Sequence, residues 1–312
     1  MKSILVTGGA GFIGSHLIDR LLQDGNKVIC VDNFILGSMD NLKSASNSKN
    51  FKIYNKDILD LAALDEVFKE EHPQIVYHLA ANSDVKEGAE STNRDLNLTF
   101  MTTYNVLECM KKYQVNNIVF TSTPAVFGNK AEPLVEEMSA NPESLYGASK
   151  LASEFFIKTF SNLYGINCWI VRLSNIVGER STHGVIHDFL IKLDKNKDEL
   201  NVLGDGNQTK PYMYVKDIVD AIIFIFKNSS ERINVFNVGP KDATKVSKIA
   251  EILLEELSTK REIVYAGGIG GWKGDVPFYS YDASKLEKLG WKTKYNSTEA
   301  VRIAIKNIIA MR

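Results

Sequence analysis

Cysteine is scarce in this 312-residue chain. Cys30, Cys109 and Cys168 are the only three, far apart and each inside an apolar stretch. That excludes a disulfide framework and thiol metal spacing. It predicts small buried core residues in a reducing, cytoplasmic setting. Excess charge is also missing: 37 Lys and Arg against 38 Asp and Glu leave a formal net charge of −1, with no basic stripe. A nucleic-acid partner is therefore not expected. No apolar run approaches the roughly 20 residues of a membrane span, which argues against a membrane partner. The first apolar segment begins at residue 3 or 4, too early for a leader peptide. There is no internal repeat and no low-complexity tail. The chain is 44% hydrophobic, enough for a sizeable core in one large or two smaller domains.

The strongest positive signal lies at the start. The β-branched run Ile4-Leu5-Val6-Thr7 leads straight into Gly8-Gly9-Ala10-Gly11-Phe12-Ile13-Gly14 and then into a segment of helical spacing, Ser15 to Leu22. A buried strand, a glycine turn and a helix N-terminus make a phosphate cradle. Gly8, Gly11 and Gly14 let the backbone turn, approach a pyrophosphate and pack helix on strand, with Phe12 and Ile13 opening the helix. An acid stands at the expected distance. Asp32 ends the second strand, where it accepts hydrogen bonds from ribose hydroxyls and repels the extra phosphate of NADP. Asn33 follows it, and no Arg or Lys comes soon after. NAD is the expected cofactor.

Strands and helices alternate through the first half. Strands are predicted at 51–54, 75–81, 117–122 and 168–173, with helices at 61–71, 96–113 and 146–163. Near-continuous apolar strands between helices imply an α/β fold: a doubly wound parallel sheet covered on both faces. The second half is punctuated by Gly and Asn and reads as a smaller α/β lobe. A helix is expected at 218–226, and a strand at 235–238 is expected to rejoin the sheet. The expected division is 1–173, with 211–239 returning, for the nucleotide, and 174–210 with 240–312 for the substrate.

Tyr146-Gly147-Ala148-Ser149-Lys150 is the second signal. One helical turn puts Tyr146 and Lys150 on one face. An ammonium there stabilises a phenolate and is expected to lower the tyrosine pKa toward working pH, making Tyr146 an acid/base. Thr123, just past the fifth strand, is placed to bond the same substrate oxygen. His183 and His187 have helical spacing, but without a thiol or strong third ligand no metal is expected; His183 reads instead as a wall of the substrate cleft.

These motifs resemble the extended short-chain dehydrogenase/reductase family, within it the NAD-dependent sugar-nucleotide epimerases and dehydratases of the UDP-glucose 4-epimerase type. The resemblance spans nearly the whole chain. It rests on Thr7 to His16, Asp32-Asn33, Asp57-Ile58, Leu79-Ala80-Ala81, Thr121-Ser122-Thr123 with Val126 and Gly128, Tyr146 to Lys150, Asn175 with Val177-Gly178, Leu203 to Gly206, Tyr212 with Val215 and Asp217, and Gly274-Asp275-Val276-Pro277. It implies that Asp57 and Ile58 border the adenine, and that Leu79, Ala80 and Ala81 line the cofactor. Lys150 holds the nicotinamide ribose. Asn175 meets the substrate diphosphate, Asn201 and Leu203 present backbone to the base, and Lys210, Tyr212 and Asp275 close on the nucleotide. Ser83 and Val185 join His183 at the substrate. The two long helices pair across a dimer axis as a four-helix bundle.

Several positions depart from the family pattern. Phe127 replaces a tyrosine, removing a hydroxyl near the sugar. Thr99 replaces an asparagine. Lys210 stands for an arginine, and Trp272-Lys273-Gly274-Asp275 for an Arg-x-Gly-Asp grip, so a planar fork becomes a point charge, with Lys273 or Arg180 as substitutes. Trp272 is placed to stack on a base or to pack. Pro124 and Ala125 follow Thr123 where the dehydratases carry Asp and Glu, and neither can move a proton. The expected activity is NAD-dependent 4-epimerisation of a nucleotide sugar, UDP-hexose foremost, through a 4-keto intermediate. The alternatives are a 4,6-dehydratase or other 4-oxidising enzyme, and an idle NAD-binding regulator, against which the intact Thr123, Tyr146 and Lys150 argue.

Overall fold

The structure, a computed structural model, describes residues 1–84, 88, 90–130, 133–268 and 278–312. Its strands, in chain order, are β1 (Ser3–Thr7), β2 (Lys27–Asp32), β3 (Phe51–Asn55), β4 (Ile75–His78), β5 (Asn117–Ser122), β6 (Asn167–Leu173), β7 (Asn175–Val177), β8 (Glu199–Val202), β9 (Thr209–Lys210), β10 (Tyr212–Tyr214), β11 (Ile233–Val238), β12 (Thr244–Lys245) and β13 (Glu262–Tyr265). Seven of them form one sheet in the order β11-β6-β5-β4-β1-β2-β3, with every pairing parallel. This is the doubly wound arrangement expected from the alternation. β11 does rejoin the sheet, beside β6.

Strand periodicity divides the core. In β1, Ile4 and Val6 face one side, where α1 (Phe12–Gln23) contributes Leu17 and Ile18. Leu5 faces the other side, where α2 (Leu61–Glu71) contributes Leu64 and Phe68. Successive strand side chains alternate faces, so an uninterrupted apolar strand requires helices on both. A third cluster gathers Val177, Leu200 and Tyr212 with apolar residues from 186–193, 249–254 and 300–305. It belongs to the small strand pairs β10-β7 and β13-β8 rather than to the main sheet.

Two predicted elements differ. The fourth strand ends at His78, not at residue 81. Beyond it Leu79 still bonds Thr7 through its amide, but the chain has left the sheet to wall the cleft. The single helix expected over 96–113 is instead α3 (Thr92–Asp95), a π-helical stretch at Leu96–Met101, and α4 (Thr102–Lys112). Threonine hydroxyls explain the change. Thr102 Oγ1 donates to the Leu98 carbonyl at 2.9 Å and Thr103 Oγ1 to that of Thr99 at 2.7 Å. Such back-bonding competes with the regular ladder and distorts a helix. The helix after β5 is α5 (Leu145–Tyr164), capped by Ser144, whose hydroxyl accepts from the Gly147 amide at 3.1 Å.

Candidate active site

A cleft of about 1070 Å³ runs across the carboxyl ends of the sheet strands. That is where an open α/β sheet places its ligands. At one end lies the turn between β1 and α1. Gly8 has φ +67°, and a Cβ on it would sit 2.7 Å from the Ala80 amide nitrogen. A Cβ on Gly14 would sit 2.3 Å from the Gly8 carbonyl oxygen. Only glycine fits either place. No side chain caps the start of α1, and its first turn carries no acid. The helix therefore opens into the cleft with amides and a positive dipole end, which suits a pyrophosphate. These features fit a dinucleotide.

Asp32 ends β2, nearly buried. Its Oδ2 accepts from the Ala10 amide at 2.9 Å and its Oδ1 from that of Phe34 at 2.8 Å. Burial raises its carboxyl pKa, and the two amides oppose that rise. Each oxygen has a lone pair left for a ribose hydroxyl. Asn33 donates to Asp57 Oδ2 at 3.1 Å, while Asn105 holds the Ile58 carbonyl at 2.9 Å. Gly8, Gly11, Phe12, Ile13, Gly14, Asp32, Asn33, Asp57, Ile58, Leu79, Ala80 and Ala81 all line the cleft.

Thr123, Tyr146 and Lys150 meet at its centre. Thr123 follows β5, where its hydroxyl accepts from the Ala125 amide at 3.2 Å and acts to lower the Tyr146 pKa. Lys150 is 2% exposed, and its Nζ donates to the Thr121 carbonyl at 2.7 Å and lies 4.5 Å from the Phe120 ring centroid. Burial pushes Lys150 down to about 7. The expected lowering of Tyr146 is not found. Burial pushes it up to about 12, against the pull of the Thr123 hydroxyl and with the help of the Asp95 charge. The reason is desolvation, which helical spacing does not reveal: both groups lose water, and both favour their neutral forms.

Ser83, Asn175, His183, Val185, Leu203, Lys210 and Tyr212 line the other end. His183 stands exposed at the cleft mouth, where partial desolvation lowers its pKa toward the neutral imidazole and the Asp84 charge opposes that shift. Asn201 is absent from the lining. It is the outward residue of β8, between buried Leu200 and Val202, and its amide bonds Glu199 at 2.9 Å. Arg180 is absent as well, its guanidinium paired with Asp19 at 2.8 Å. Phe127 does not face the sugar site either. It is fully buried with Val126, Leu134, Tyr279 and Tyr281, under the Arg172 guanidinium at 4.7 Å. Thr99, in the asparagine position, accepts from the Asn82 amide at 3.1 Å. Trp272, Lys273 and Asp275 lie outside the described residues. Among the described residues no three His, Cys, Asp or Glu side chains converge as a metal site, and no helix is long and apolar enough to cross a membrane.

Sequence reasoning missed Lys56, Glu143, Ser144, Gln208 and Tyr279, which also line the cleft. Only Ser144 carried a signal, as a helix cap ahead of Tyr146.

Fold and cleft define a dinucleotide-dependent enzyme scaffold with a tyrosine–lysine centre. The model of the NAD dependent epimerase/dehydratase family matches residues 4–239. A putative UDP-glucose 4-epimerase of Methanocaldococcus jannaschii is 35% identical over 305 residues, 96% of each chain. The human dTDP-D-glucose 4,6-dehydratase is 28% identical over 98% of this chain and 89% of its own. Among solved structures, the UDP-glucose 4-epimerase of Thermotoga maritima with UDP-glucose superposes with a TM-score of 0.90, at 31% identity and 99% coverage of both chains. The chain belongs to the NAD-dependent epimerase/dehydratase family, and its cofactor is NAD.

Proposed function

We propose that this chain is a 4-epimerase of a nucleotide-activated sugar, of the UDP-hexose type. The observation that carries the reading is the cleft centre. Thr123 and Tyr146 line the cleft beside buried Lys150, whose Nζ donates to the Thr121 carbonyl, and the next two cleft residues, Pro124 and Ala125, cannot transfer protons. The similarity to UDP-glucose 4-epimerases supports it.

The residues assigned to NAD are those from Gly8 to Ala81 that line the cleft, together with Lys150 at the nicotinamide ribose. They belong to segment 1–173, with 211–239 returning. Segments 174–210 and 240–312 take the sugar nucleotide, through Asn175, His183, Val185, Leu203 and Lys210, joined by Ser83 and Tyr212 from the NAD-binding segment. NAD, when bound, accepts and returns the hydride at C4. Tyr146 takes the proton of the C4 hydroxyl, and Thr123 holds that oxygen. Tyr146 starts as a phenol, so the charge of Lys150 must offset its burial before it acts as a base. The 4-keto sugar turns in the cleft, and Tyr146 returns the proton to the new alcohol.

The dehydratase reading keeps one observation in its favour. Asp84 and Glu143 reach the cleft from loops away from Thr123. NMR of mixtures made from UDP-, GDP-, CDP- and dTDP-hexoses decides between the two. A C4 epimer supports the proposal, and a 4-keto-6-deoxy sugar refutes it.

The apolar outer face of α5 supports a homodimer. Phe155, Leu163 and Tyr164 are exposed, and Phe156 packs on Phe100 at 4.8 Å. Sedimentation showing only monomers at micromolar concentration would rule out that dimer. Three free, buried cysteines accord with a cytoplasmic setting.

A further inference from the structure

One turn beyond Lys150 on α5, Glu154 is fully buried. Its partner is Arg172 on β6, 4% exposed. The contact is a two-pronged fork: Arg172 Nε donates to Glu154 Oε1 at 2.9 Å and Nη2 to Oε2 at 2.7 Å. Oε1 also accepts from Ser122 Oγ at 2.6 Å, and Ser122 directly precedes Thr123. The remaining arm of Arg172, Nη1, donates to the Glu136 carbonyl at 3.0 Å. Glu136 in turn accepts from the Asn237 amide on β11 at 2.8 Å. One carboxylate thus ties the helix of Tyr146 and Lys150 to the strand end that carries Thr123, and to β6.

A buried ion pair is a poor source of net stability, because desolvation offsets its attraction. Its geometry is another matter. A bidentate fork fixes direction as well as distance. The Glu154 carboxylate sits at i+4 from Lys150, the spacing at which helical side chains are neighbours.

We propose that Glu154 and Arg172 are positioning residues, whose fork holds Tyr146, Lys150 and Thr123 in register and sets the Glu154 carboxylate against the Lys150 ammonium. The proposal rests on the acid/base reading of Tyr146 given above. The groups that face Lys150 are Tyr146 and Glu154 on α5, Asp95 on α3, the His78 ring on β4, and the Phe120 ring with the Thr121 carbonyl on β5. Burial pushes His78 down to about 3, so it is neutral. Glu154 and Asp95 are the anions that oppose the desolvation of Lys150. Burial alone would raise Glu154, but Arg172 first, then the Ser122 hydroxyl and the Lys158 ammonium 3.6 Å away on α5, outweigh it and keep the carboxylate ionised.

The test uses E154Q, which keeps the shape and loses the charge. NMR of the Lys150 ε-carbon across pH, in protein carrying a carbon-13 lysine label and assigned by its loss in K150R, gives its titration midpoint without any turnover. The midpoint is expected to fall by about one pH unit, the smaller end of the effect of a near opposite charge. The alkaline limb of the kcat profile moves down with it. Turnover is expected to fall about 10- to 100-fold from loosened geometry, with KM for the sugar nucleotide unchanged. R172K keeps a cation but loses the fork, and S122A cuts only the strand link. Both are expected to lower kcat with the Lys150 midpoint in place, and they decide the case where E154Q does not fold.

Wild-type kcat in R172K and S122A refutes the register argument. An unmoved Lys150 midpoint in folded E154Q refutes the electrostatic one. A wild-type protein that epimerises no sugar nucleotide defeats the function proposed above, while the Lys150 midpoint still tests this pair.

Discussion

Replacing Gly14 by alanine probes the cradle with a single methyl group. The added Cβ would lie 2.3 Å from the Gly8 carbonyl oxygen and 2.8 Å from the Gly9 Cα. These are backbone atoms and cannot rotate away. Relief requires α1 and the glycine turn to separate by about 1 Å, given that non-bonded atoms rest near 3.5 Å. Overpacking of that kind costs about 1–3 kcal/mol of stability. The larger effect falls on the ligand. A turn displaced by that much loses one or more charge-assisted amide bonds to the pyrophosphate, each worth about 1.5–3 kcal/mol. One lost bond weakens NAD about 10- to 150-fold. The assay is calorimetric titration of NAD into protein stripped of cofactor, alongside a melting curve. Gly25→Ala is the control: its φ is +79° but no atom lies within 4 Å of the new Cβ. It is expected to lose stability from backbone strain while binding NAD normally. Wild-type NAD affinity in folded Gly14→Ala would refute the close-approach argument.

Three further outcomes follow from the same geometry. Asp32→Asn keeps an acceptor for the Ala10 or Phe34 amide but removes the charge, so NAD should weaken and NADP gain relative to it; a wild type that already prefers NADP in the same titration contradicts the role given to Asp32. Tyr146→Phe should lower turnover by about 10²–10⁴-fold with NAD still bound, and near-normal turnover removes Tyr146 as the proton acceptor. Burial alone would raise Glu71, but Lys27, Lys52 and Tyr54 outweigh it and hold its carboxyl at about 2 instead of the ordinary 4.5. A depressed carboxyl stabilises the fold above its unfolded value, so the contribution is complete above about pH 4.5 and disappears as the pH falls toward 2. Discounted for partly exposed partners it is worth about 1–3 kcal/mol. Urea unfolding of Glu71→Gln against wild type should show that gap at pH 7 and its closure near pH 2; a gap independent of pH contradicts the assignment.

The residues that the fold gathers into the cleft as the sequence suggested are those whose signal is local. The glycine turn declared itself because a strand, three glycines and a helix stand in sequence order, and Gly8 and Gly14 prove to be places where a Cβ has no room. Tyr146 and Lys150 declared themselves by one-turn spacing. What failed depends on neighbours that are remote in sequence. The helix at 96–113 has the right apolar period, yet Thr102 and Thr103 turn their hydroxyls onto its own carbonyls. Phe127 looked like a lost sugar contact until its ring proved to lie under Arg172 in the core. Asn201 fell on the outward phase of β8, and single residues do not announce their strand phase. The pKa direction of Tyr146 went the other way because burial, invisible at the level of spacing, outweighs the nearby lysine. The Glu154–Arg172 fork was half legible: the i+4 spacing from Lys150 is in the sequence, but the partner from β6 needs the fold.

In a 4-epimerase the hydride that leaves C4 of the sugar returns to C4. A nucleotide hexose deuterated at C4, incubated with the protein and NAD, tests this directly by NMR and mass spectrometry. The expected product is a C4 epimer of unchanged mass with the deuterium still at C4. A product lighter by one water, with deuterium carried to C6, would contradict the epimerase reading and make the protein a dehydratase.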